Sequence, residues 1–143
     1  QGKNNEARVV LKHVRPFLTG DEDKKRALYF TTMTYALQNA SERATAGYDE
    51  FQSKYKGDAL ADNLPVALGS MYLSLNNPNE AIRYFNESLA IYPNGRFTGL
   101  SVVQKASAET RLGNLADALE AKPAQQHCGC MVKPQCCDGQ FIE

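Results

Sequence analysis

The last sixteen residues hold all four cysteines of the chain: His127-Cys128-Gly129-Cys130 and Cys136-Cys137. Four thiolates in a Cys-x-Cys…Cys-Cys order, with His127 in reserve, could complete a tetrahedral zinc site. Closely spaced thiolates also suit Cu(I), a softer ion. Two disulfides are the competing chemistry and would fit an oxidising compartment, with three connectivities open to four cysteines. Free thiols are the third reading. Gly129, Pro134 and Gly139 make this tail, residues 123–143, a loop rather than a helix. Phe141 and Ile142 are placed to cover the end of whatever precedes them.

Other chemistry is sparse. No glycine-rich phosphate loop, nucleophile elbow or zinc-protease helix occurs, and no pair of carboxylates stands out for acid–base work, so no catalytic residue is assigned and no enzyme is expected. His13 sits among apolar residues at an expected helix end and reads as structural. The run Asp21-Glu22-Asp23-Lys24-Lys25-Arg26 reads as the solvated start of a helix, with acids in the first turn. The sequons at Asn39 and Asn86 are short enough to arise by chance.

The elements that would carry such a tail come from a register of 37 residues. Ala7, Ala44, Ala81 and Ala118 lie on it, as do Leu11, Tyr48 and Phe85. Val14 pairs with Phe51, Tyr35 with Tyr72, Tyr55 with Tyr92, and Leu75 with Leu112. Bulky apolar matches at several phases mark a repeat array. Each unit reads as two amphipathic helices. In the clearest, Leu64, Ala67, Leu68, Met71, Tyr72 and Leu75 form a stripe, with Asp62 or Asn63 as cap and Pro65 in the first turn. Asn77-Pro78-Asn79-Glu80 is a capping-box start for the second helix, which Pro93-Asn94-Gly95 ends. The neighbouring pairs fall at 22–39 with 42–56, and at 98–112 with 115–122, the latter split by Gly113-Asn114. Residues 4–15 fit only a second helix, stopped by Pro16 and Gly20. No segment alternates as a strand would.

Leu68-Gly69-x-x-Tyr72, Ala81-x-x-x-Phe85 and Pro93 resemble the tetratricopeptide repeat. The resemblance covers about residues 4–122 and implies an all-α fold: a right-handed superhelical solenoid of antiparallel helix pairs, about three and a half repeats long. It divides the chain into a half-repeat at 4–20, repeats at 22–57, 59–94 and 98–122, and the cysteine tail. The three residues beyond the usual 34, with Ala61-Asp62-Asn63-Leu64 after the turn, are similar to repeats of bacterial cell-envelope proteins. That implies a periplasmic or envelope location, with the cytoplasm as the alternative. Thr31-Thr32 and Lys105-Ala106 depart from Leu-Gly, and the last unit is degenerate, as capping repeats are. Gln1-Gly2 read as a tag remnant, so the chain is expected to be a piece of a longer protein, and its start says nothing of secretion.

What the resemblance implies for function is a groove lined by the first helices. Carried over by position, it presents Arg26, Tyr29, Phe30, Met33 and Leu37, then Asn63, Val66, Ser70, Leu73 and Ser74, then Leu100, Val103, Gln104, Ser107 and Arg111. This mostly apolar lining suits a hydrophobic peptide or an amphipathic helix. Tyr29, Met33 and Ala67 stand where a clamp for a terminal carboxylate would need Lys and Asn, so chaperone-tail recognition is not expected. The partner is a protein or peptide; the alternatives are a metal or redox tail on a scaffold, and self-assembly through the open repeat ends. Sixteen basic and sixteen acidic residues give zero net charge, which argues against nucleic acid as a general partner. No apolar run approaches the roughly 20 residues of a membrane span.

Overall fold

A computed structural model describes residues 2–120. Six α-helices follow in order: α1 Gly2–Val14, α2 Asp21–Leu37, α3 Ser41–Tyr55, α4 Leu64–Ser74, α5 Pro78–Ile91 and α6 Thr98–Glu120. Short 3-10 turns at Arg15–Phe17 and Ala59–Ala61 precede α2 and α4. Among the described residues there is no strand. The tail with His127, Cys128, Cys130, Cys136 and Cys137 lies outside them, and so do the metal, disulfide and thiol readings placed on it.

Consecutive helices pack pairwise, and α2, α4 and α6 also touch in succession. Helices joined by such short turns and packed side by side run antiparallel. The result is a stack of helix pairs with α2–α3 and α4–α5 as complete repeats. Helix α1 packs on α2. The described residues thus fold as the all-α stack of antiparallel helix pairs that the resemblance implied.

The turns follow the register. Asn39 and Asn76, 37 apart, both take left-handed backbone with φ of 56°. Asparagine tolerates that region better than most residues. The Ala40 N–H then donates to the Tyr35 carbonyl at 3.0 Å, and the Asn77 N–H to the Tyr72 carbonyl at 2.9 Å. Asn77 goes on to cap α5, its side chain accepting from the Glu80 N–H at 3.3 Å, with Pro78 in the first turn.

Three expectations are corrected. Neither Asp62 nor Asn63 caps α4 through its side chain. Asn63 accepts from the Tyr29 hydroxyl at 3.0 Å, and buried Asp62 binds the backbone and guanidinium of Arg96. Gly113-Asn114 does not split the last unit, because α6 runs unbroken from Thr98 to Glu120. A glycine within a helix costs only about 1 kcal/mol. His13 is exposed rather than set among apolar neighbours, and its ring nitrogen donates to the Val9 carbonyl one turn back.

The core lies between the helix pairs. Tyr48, Phe51, Leu64, Leu68 and Met71 centre one cluster, and Val66, Ala81, Phe85 and Ala108 a second. Gly69 lets the second pair close: a Cβ built there would overlap the edge of the Phe85 ring. Thr32 holds the same register position in the first pair, where the room comes from Gly47 of the facing helix. A Cβ at Gly47 would overlap the Thr32 hydroxyl. Buried Ser88 and Ser101 share a hydrogen bond of 2.9 Å that fastens α6 to α5.

Candidate functional site

Helices α2, α4 and α6 enclose a recess of about 390 Å³. Seven of the sequence-assigned residues line it: Met33, Leu37, Asn63, Val66, Ser70, Ser74 and Leu100. The single apolar stripe expected of the leading helices is not what forms: α4 buries Leu64, Val66, Leu68 and Met71 on several sides, so apolar residues remain for the recess as well as for the core. Each leading helix must bury one side against its trailing partner, and the opposite side is left facing the recess. Leu37 is 63% exposed and Phe30 52%, which is high for large apolar side chains on complete repeats.

The other assigned residues are held elsewhere. Tyr29 is half-buried and packs against the main cluster, with its hydroxyl on Asn63 and its ring edge-on to Phe30 at 5.0 Å. Leu73 packs against the second cluster. Gln104 accepts from the Ser70 hydroxyl at 2.6 Å, and Arg111 donates to the Leu73 carbonyl at 3.2 Å, so both brace α6 against α4. Arg26 is exposed and paired with Glu22 of its own helix. Val103 and Ser107 are exposed on α6 but do not line the recess.

Ala36, Asn39, Met71 and Phe97, which the sequence did not assign to the groove, also face the recess, as does Ala67, which it placed at a clamp position. Ala36 and Ala67 were legible as small residues beside assigned ones. Phe97 lies in the turn before α6, where helical periodicity has no purchase.

Electrostatics concentrate away from the recess. Lys25 bonds Asp58 and Glu22, each at 2.7 Å. Those bonds, Asp58 first, raise the ammonium above its ordinary range. Lys25 and the Leu60 N–H hold the Asp58 carboxyl low. Burial, reinforced by Glu87, pushes the Tyr48 phenol up, and its hydroxyl donates to Glu87 at 2.9 Å. Glu50 is held low, chiefly by Lys54. Lys25–Asp58 and Tyr48–Glu87 join separate elements, Glu50–Lys54 lies within α3, and none of these groups lines the recess with Met33 and Leu37. Among the described residues no three His, Cys, Asp or Glu side chains gather as a metal site. No described helix is long and apolar enough to cross a membrane.

Residues 66–94, most of α4 and all of α5, match the family model of the tetratricopeptide repeat. No curated protein and no solved structure gives a match. The chain therefore carries a tetratricopeptide repeat, a module of protein–protein interaction scaffolds that is typically non-catalytic.

Proposed function

We propose that the chain docks the apolar side of a peptide or helix from another protein in the recess between α2, α4 and α6. The observation that carries this reading is the exposure of Leu37 beside Met33 and Val66 in a concave setting. Exposed leucine that neither a neighbouring helix nor a turn covers gains most from a partner, at about 25 cal/mol per Å² of apolar area removed from water. Asn39, Asn63 and Ser74 at the margins supply hydrogen-bonding groups that fix the orientation of an incoming backbone. The 37-residue register, with its longer turn after each pair, supports an assembly of the bacterial cell envelope as the setting.

The test is fluorescence polarisation of labelled amphipathic helical peptides against the wild-type chain and Leu37→Asp. Leu37 is largely solvent-exposed, so the variant keeps its helical circular dichroism and melting temperature. Loss of binding of about tenfold or more is expected, since a charge is forced into an apolar contact. Unchanged binding removes the groove from the reading.

A further inference from the structure

The first repeat leaves open a space that the second repeat fills. In the second, Tyr84 stacks on Tyr72 with ring centroids 5.5 Å apart and meets Tyr48 edge-on at 5.8 Å. Thirty-seven residues earlier those three positions hold Gly47, Tyr35 and Leu11. Glycine has no ring to insert. Leu11 and Tyr35 instead line a recess of about 680 Å³ bounded by α1, α2 and α3, larger than the one between the leading helices.

Its rim is cationic. Arg8, Lys12, Arg15 and Arg43 line it, and no carboxylate does. Arg15 is paired with Glu50 at 3.1 Å. Arg8 is bonded only to the neutral amides of Gln38 and Asn5. Lys12 and Arg43 make no ion pair among the described residues. The Arg8 and Arg43 guanidinium carbons stand 5.5 and 5.7 Å from the Tyr35 ring centre, so the aromatic wall is flanked by charge. The register shows that this charge is no requirement of the repeat. The counterparts of the four cations in the next unit are Thr45, Asp49, Gln52 and Glu80. In a chain of zero net charge, unpaired cations around an apolar slot are a local specialisation.

We propose that this recess binds an acidic segment of a partner protein, with an aromatic side chain between carboxylates. The ring enters the slot over Leu11 and Tyr35 in the place that Tyr84 takes in its own repeat. The carboxylates pair with Arg8, Lys12 and Arg43. Arginine presents a planar fork that accommodates a carboxylate bidentately, which gives orientation as well as attraction. The recess shares no residue with the groove lined by Met33 and Leu37, so the two sites are separable.

The probe is a fluorescein-labelled peptide with one phenylalanine between two pairs of glutamates, titrated into the full chain by fluorescence anisotropy at low and high salt. Saturable binding is expected, weaker at high salt. Arg8→Glu with Arg43→Glu weakens it about tenfold or more. So does the exchange Thr32→Gly with Gly47→Tyr, which carries the second repeat's filling into the first. Leu37→Asp leaves it unchanged. Circular dichroism checks each variant, and Arg43→Glu alone, at an exposed position, carries the test if the exchange variant fails to fold. Absence of saturable binding overturns the proposal. So does equal binding by the charge-reversed chain or by a peptide with glutamines for glutamates. Loss with Leu37→Asp as large as with the arginine variants overturns it too, since it would move the peptide to the groove.

Discussion

In the second repeat the small residue stands on the leading helix, where Gly69 receives the edge of Phe85. In the first it stands on the trailing helix, where Gly47 receives Thr32. The clasp between the start of each leading helix and the turn after its trailing partner is exchanged as well. Lys25 reaches Asp58 in the first, and Asp62 reaches Arg96 in the second. One backbone arrangement is thus kept by opposite choices of residue. What recurs is one glycine at the contact between facing helices and one ion pair at the closing turn, whichever side supplies each part. The first repeat departs most on its trailing side, and there the cationic recess opens.

Several substitutions would break or sharpen this comparison. The largest effect belongs to Phe85→Ala, which empties a fully buried site and costs about 3–5 kcal/mol in urea unfolding. Its register partner in the half-repeat, Leu11, is only half-buried, and Leu11→Ala costs about 1 kcal/mol. Equal losses would mean that α1 is packed as tightly as a complete repeat. Next come Gly69→Ala and Gly47→Ala, each destabilising by about 1–3 kcal/mol through overpacking. Thr32→Ala restores most of the Gly47→Ala loss and none of the Gly69→Ala loss. A cycle without that asymmetry would refute the exchange of the small residue between helices.

Asp62→Ala removes the acceptor of the Arg96 backbone and side chain and lowers stability by about 1–2 kcal/mol. The smallest effects are those of pH. Asp58 is held below its ordinary carboxyl value when folded. Its contribution is therefore present above about pH 4 and lost as pH falls through the folded value. Thermal melting under acid conditions should show this loss, and Asp58→Asn should flatten it. Tyr48 has the opposite sign: its phenol is raised, so stability falls as pH climbs past about 10, and Tyr48→Phe removes that decline.

Much of this was readable in the residues. Ala44, Ala81, Tyr48 and Phe85 recur at one spacing because the same packing problem recurs, and all four are buried. Asn77-Pro78 announced a helix start because capping and a fixed φ act locally. What escaped is what depends on two helices at once. Thr32 reads as a defect until Gly47 is seen across from it. Tyr29 reads as groove lining until Asn63 takes its hydroxyl. Arg8, Lys12 and Arg43 are ordinary surface cations on separate helices until folding sets them around one slot. The comparison of Gly47 with Tyr84 by register was the signal that could have exposed that slot.

Every long-range bond of the array is short in sequence. Among the described residues the most distant side-chain hydrogen bonds, Tyr48 with Glu87 and Tyr84 with Thr45, join positions 39 apart. A chain built this way need not close large loops before contacts reward it, so it folds fast for its length. It also has no single all-or-none lock. The α4–α5 pair, covered on both flanks, can stand as the nucleus while α1 opens and recloses on its own. Amide exchange would then be slowest near Phe85 and Leu68 and rise towards Val9, grading protection along the stack. A ligand held at α1 would be felt first as slower exchange at that end.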